Sequence, residues 1–199
     1  MATLNGLNQE IAGCLLCEIA KYRTNTVPGE GPEDAEIMFI GEAPGWHEDQ
    51  QGRPFVGPAG HYLDQLLASI GLTRRQVFIT NVIKCRPPDN RDPLPTEIQN
   101  CQKWLDHQID ILKPRMIVTL GRYSMARFFS GKSISKIHGT AVRRDNTIYF
   151  AMYHPAAALH QQSLRQAIET DIMKKIPSVL AEEKSVPETE PGPQQLSMF

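Results

Sequence analysis

Residues 36–60 read EIMFIGEAPGWHEDQQGRPFVGPAG, and this stretch decides the fold. Its first six residues are mostly apolar, too few for a helix, and show no polar face, which predicts a strand buried on both sides. The run stops at Gly41 and gives way to a loop dense in glycine and proline. Three further runs share the pattern: VFITNV at 77–82, MIVTLG at 116–121 and IYFAMY at 148–153. Between them lie helix-period segments at 59–70, 95–112 and 122–129, with another at 156–176. Thr96 ahead of Ile98, Trp104, Leu105 and Ile109 predicts a capped amphipathic helix. Strands alternating with helices imply an α/β fold, a three-layer α/β/α sandwich on a central, mainly parallel four-stranded sheet. Such sheets take ligands at the carboxyl ends of their strands.

The chain has 199 residues, 41% of them hydrophobic, enough to bury one sizeable core. Aromatics make up 7% and the formal net charge is −1, which argues against a strongly basic nucleic-acid binder. That average conceals an asymmetry. Residues 182–199 hold Glu182, Glu183, Glu188 and Glu190 against Lys184, so the rest carries 20 basic and 18 acidic side chains. A domain over 1–180 is expected, followed at 181–199 by an acidic, proline-rich linker ending in the apolar peptide QLSMF. The opening MATLNGLNQEIAGCLLC has no signal-peptide pattern, and no apolar run approaches the ~20 residues that span a bilayer. A cytoplasmic monomer is expected, in a compartment where disulfides are disfavoured.

Four cysteines therefore call for another reading. Cys14 and Cys17 are separated by two residues, and Cys85 and Cys101 by 15. Two cysteines so close suit one metal centre, and four thiolates complete either a tetrahedral zinc or a cubane cluster. Buried apolar cysteines are the plain alternative. A thioredoxin-type redox pair would follow a strand, whereas Cys14 and Cys17 precede the first one.

Three segments meet at the predicted ligand edge. The loop Gly41-Glu42-Ala43-Pro44-Gly45 lets backbone approach a ligand closely. It is neither a Walker loop nor a dinucleotide fingerprint, because Gly-Lys-Ser/Thr and Gly-x-Gly-x-x-Gly are both absent. Asn81 ends the second strand, where an amide could read a planar base, and His154 ends the fourth, where it could serve a developing anion.

At GEAPG (41–45), GRPFVGPAG (52–60), TNVIKCRPPDNRDP (80–93) and HPAA (154–157), the chain resembles the family 4, iron–sulfur uracil-DNA glycosylases. The resemblance runs over roughly residues 7–175. It implies the uracil-DNA glycosylase fold, hydrolysis of the N-glycosidic bond of deoxyuridine in DNA, and base excision repair. It also implies a [4Fe–4S] cluster on Cys14, Cys17, Cys85 and Cys101. Phe55 would stack on uracil, Asn81 would read its edge, and His154 would donate to O2. Gly45 and the backbone near Glu42 and Ala43 would line the base pocket, with Glu42 positioning water. Glu48 is assigned either to the pocket wall beside a thymine methyl or to the solvated loop.

Arg86, Arg91 and Arg165 would suit phosphates. The chain departs from the wider superfamily at Ala43, where its best-known enzymes have aspartate. It departs from family 4 at His138 and His160, where arginine is common. Two rival functions remain: a non-catalytic iron–sulfur or zinc DNA-binding module, and a same-fold enzyme for another deaminated base such as hypoxanthine. The terminal Gln195, Leu196, Ser197, Met198 and Phe199 resemble peptides that dock on the sliding clamp of the replicative polymerase.

Overall fold

The computed structural model describes residues 3–181. The clamp-like peptide and its linker, from residue 182 onward, lie outside the described residues. Five strands form one sheet: β1 (Ile37–Gly41), β2 (Phe78–Asn81), β3 (Met116–Leu120), β4 (Ala141–Arg144) and β5 (Thr147–Met152). Their order is β2-β1-β3-β5-β4, and only the β4–β5 pairing is antiparallel. Every residue of β1, β2 and β3 is buried. That follows from their lack of polar alternation, since such a strand has no face to give to water.

The pleat sorts these side chains into two cores. Ile37, Phe39, Ile79, Val118 and Phe150 pack on one face of the sheet with Leu63, Leu66 and Leu67 of α3 (Pro58–Ser69). Met38, Ile40, Phe78 and Ile117 pack on the other with Leu105 and Leu112 of α4 (Pro95–Leu112). Helices on both faces make the expected three layers. Among the described residues no helix is long and apolar enough to cross a membrane.

The sheet has five strands, not four. Residues 141–144 read AVRR, half-buried at an edge, and offer no apolar run to betray a strand. The arginines also blunt that edge. Arg144 pairs with Thr147 across a two-residue turn in which Asp145 takes a φ of 52°. The cap of α4 also differs from expectation. Glu97, not Thr96, closes its start by accepting the Leu94 amide at 2.7 Å, with Pro95 in the first turn.

Residues 46–51, read as loop, form a short helix α2 (Trp46–Gln51) that ends at left-handed Gly52. The single helical segment expected at 156–176 breaks up. A 3-10 turn (Pro155–Leu159) leads into the helix Gln162–Thr170, then a π-helical turn Asp171–Lys175.

A further helix, α1 (Leu4–Ala12), precedes the first cysteine. Its Leu7 and Ile11 pack on Trp104 of α4, and Cys14 and Cys101 border this small cluster. Trp104→Ala is expected to cost about 3–5 kcal/mol and to loosen α1 first. Urea unfolding followed by hydrogen exchange of the α1 amides checks both.

Candidate active site and cysteine site

The β1–β2 register sets Gly41 beside Asn81, so both strands end at one level. Gly41 has no side chain, and two groups close over it. A Cβ built there would lie 2.6 Å from the Phe55 ring and would collide with Asn81 Oδ1. Phe55 and Asn81 thus converge over bare backbone. His154 joins them from the end of β5, its ring stacked on Phe55 at 5.5 Å between centroids and 24° between planes. Three segments distant in sequence therefore meet at the carboxyl ends of the strands.

Asn81 is 1% exposed, yet its Oδ1 has no hydrogen-bond partner. A buried carbonyl left alone costs about 1–3 kcal/mol, so Oδ1 is an acceptor open to an N–H donor. His154 is oriented by its neighbour: Nδ1 accepts the Ala156 amide at 3.1 Å. A backbone N–H only donates, so in the neutral ring the proton sits on Nε2. Burial pushes the His154 pKa down to about 4, opposed by Glu48. The residue is a neutral donor, not an imidazolium. Gly121, with a φ of 89°, lets the β3 turn come within 3.0 Å of His154 Cβ, as measured from a Cβ built at the glycine.

Phe55 itself has a φ of 52°, an uncommon conformation for a bulky residue. Arg74, which sequence reading missed, holds it there. Its guanidinium donates to the Phe55 carbonyl at 2.8 Å and to the Pro54 carbonyl, and pairs with Asp64 at 3.1 Å. Gly60 packs so closely that any Cβ would strike the Phe55 carbonyl.

Glu48 does not stand free on the loop. Its carboxylate accepts the amides of Val56 and Gly57 at 2.9 Å and of Gly45 at 3.1 Å, bracing the glycine loop against the Phe55 loop. Asp49, also missed, is buried and binds the Thr24 amide at 2.9 Å.

Glu42 and Ala43 are half-buried beside the cleft. Burial raises the Glu42 carboxyl pKa, the nearby Asp92 charge adds to this, and Arg122 opposes it. Arg122 is in turn ion-paired with Asp92. The arginines assigned to phosphate have protein partners here. Arg91 pairs with Glu97 at 2.6 Å, Arg165 with Glu169 at 3.0 Å, and Arg86 bonds the Asn90 side chain at 2.7 Å. His138 bonds buried Asp171 at 2.8 Å, and its ring lies 4.6 Å from Tyr153.

The four cysteines line one cavity, with Ile11, Leu16 and Trp104 among its apolar walls. Among the described residues no three His, Cys, Asp or Glu side chains are gathered tightly enough to hold a single ion. The donor set is sulfur alone, which suits an iron–sulfur cluster or a tetrahedral zinc. Two donors serve it already: Arg23 Nη1 reaches Cys85 Sγ at 3.2 Å, and the Lys84 amide reaches Cys101 Sγ at 3.3 Å. Burial pushes the Cys101 thiol up to about 12 and raises Cys85 as well, with Lys84 opposing the rise at Cys101 and Arg23 at Cys85.

A glycine loop, an asparagine and a histidine thus meet at the strand ends of an α/β/α sheet, where such sheets take ligands. The chain belongs to the Uracil DNA glycosylase superfamily, whose profile matches residues 28–176. Within it, the Type-4 uracil-DNA glycosylase of Sulfurisphaera tokodaii is 50% identical over 184 residues, covering 87% of this chain and 84% of the relative. That of Archaeoglobus fulgidus is 44% identical, covering 87% and 92%. That of Thermotoga maritima is 41% identical, covering 84% and 90%.

The His154 ring is expected to titrate near pH 4, as followed by its Cε1–H resonance. The unfolded chain protonates near 6.5, so stability should decline as pH falls from 6.5 toward 4 and stay level above that range. A midpoint near 6.5 would contradict the buried, neutral assignment.

Proposed function

We propose that this chain excises uracil from DNA by hydrolysis, in base excision repair. The observation that carries the reading is the unpartnered, buried Asn81 Oδ1 beside Phe55 and His154. The target base must leave the stack to reach such a cleft. Phe55 then offers a stacking face, worth ~1–3 kcal/mol. Asn81 Oδ1 accepts N3–H of uracil while Nδ2 donates to O4. Cytosine reverses both partners and would leave the amide mismatched at about 1–3 kcal/mol per group.

As the bond between N1 and C1′ breaks, its electron pair passes to the base and charge gathers on O2. The neutral His154 ring donates Nε2–H to that oxygen, a contact typically worth ~2.7–4 kcal/mol. Water bonds to C1′, one of its protons is lost, and uracil leaves to be protonated at N1. Glu42 is our candidate for placing that water. Position 43 is alanine, with no carboxylate, so the reaction leans on stabilising the leaving group.

We further propose that Cys14, Cys17, Cys85 and Cys101 hold a [4Fe–4S] cluster, supported by the all-sulfur donor set and the type-4 relatives. Bound there, it supplies a cross-link between the segment after α1, the segment after β2 and α4. The peptide at 195–199 is proposed as a sliding-clamp contact, supported by its QLSMF pattern.

Incubation with a uracil-containing oligonucleotide and alkaline strand cleavage tests the activity. His154→Ala should lower kcat by about 10²–10³, the usual cost of a lost oxyanion donor, with the fold intact. No cleavage by the parent protein, or cleavage only at hypoxanthine, would reject the reading. Cys85→Ser should lose iron, colour and thermal stability together. A colourless variant of parental stability would reject the cluster's structural role.

A further inference from the structure

Lys84 is 1% exposed and has no part in the chemistry above. Burying an ammonium costs several kcal/mol unless its surroundings are made for it. Here they are. Nζ donates at 2.7 Å to each of three oxygens: Thr80 Oγ1, Gln108 Oε1 and the main-chain carbonyl of Asn81. Three donors meet three neutral acceptors, which satisfies the group completely. The acceptors are themselves fixed, because Thr80 Oγ1 and Gln108 Nε2 both donate to the Pro28 carbonyl at 2.7 Å.

The backbone of Lys84 is tied as firmly as its side chain. Its carbonyl accepts the Val27 amide at 2.7 Å, and its own amide donates to Cys101 Sγ at 3.3 Å. Cys101 and Gln108 are seven residues apart on α4, two turns along one face. Lys84 therefore spans from that face to the last residue of β2, the residue whose amide group is left open to a ligand. A methionine or leucine would fill the same space. It would not hold the Asn81 peptide plane.

We propose that Lys84 is a positioning residue that fixes the Asn81 peptide, and through it the carboxamide that reads the base. The proposal rests on the uracil reading of Asn81 given above. It follows that Lys84 acts on recognition and selectivity, beyond any contribution to folding.

The test uses Lys84→Met, purified with its iron content measured. Free uracil affinity is read by calorimetry, and excision is compared at uracil and at cytosine. Loss of about tenfold in uracil affinity is expected, with a comparable narrowing of the uracil-to-cytosine ratio, as one misplaced buried hydrogen bond commands. Iron content should stay parental. A purely structural lysine would lower the melting temperature and leave the uracil affinity and the uracil-to-cytosine ratio unchanged, and that result overturns the proposal. Should Lys84→Met fail to fold, Gln108→Met decides: it removes one of the anchors of Nζ, and the same two readouts should shift in the same direction. Unchanged values there overturn it equally. A parental protein that neither binds uracil nor excises it would refute the function itself, a distinguishable outcome.

Discussion

The parallel pairing of β1 with β2 sets Gly41 against Asn81, and the proposed recognition site is built on that pair. Parallel register ends both strands at one level. The loops that leave them then have to share the same small volume. A one-residue slip would turn Asn81 away from the cleft and bury its amide among the leucines of the opposite core. Bare backbone at Gly41 lets Phe55 and Asn81 approach each other there.

Around that pair the protein spends polar groups unequally. Thr80, Lys84, Gln108 and Asp49 are buried with hydrogen-bond partners. Asn81 Oδ1 is buried without one. A surround of satisfied groups would make this open acceptor specific, since a rigid mismatch is costly where a mobile one relaxes. Phe55 shows the same economy in its backbone. A positive φ on a bulky residue stores about 1–3 kcal/mol, and Arg74, Gly60 and the Glu48 brace hold it in place.

The cysteine cavity sits at the join of α1, α4 and the segment after β2. Its walls belong partly to the same residues that position the cleft, for Lys84 bonds a cysteine sulfur with its amide and Asn81 with its side chain. Two sites that look separate in the sequence thus share one strut.

Strand runs of pure apolar character are legible because local composition alone dictates burial on both faces, and so the layered α/β fold followed from the sequence. The convergence of Gly41, Asn81 and His154 was legible too, since parallel sheets bring strand ends to one edge. The strand at 141–144 was not, because an arginine-rich edge strand is recognised only by the partner that pairs with it. Nothing local in TRRQ or IKCR sets Arg74 and Lys84 apart from ordinary surface cations. Their roles come from acceptors 19 and 24 residues distant, the Phe55 carbonyl and Gln108, which local pattern does not encode. Only the tertiary structure decided that Glu48 braces two loops and that His154 keeps its proton on Nε2, because a side chain's protonation and partners depend on what folding buries beside it.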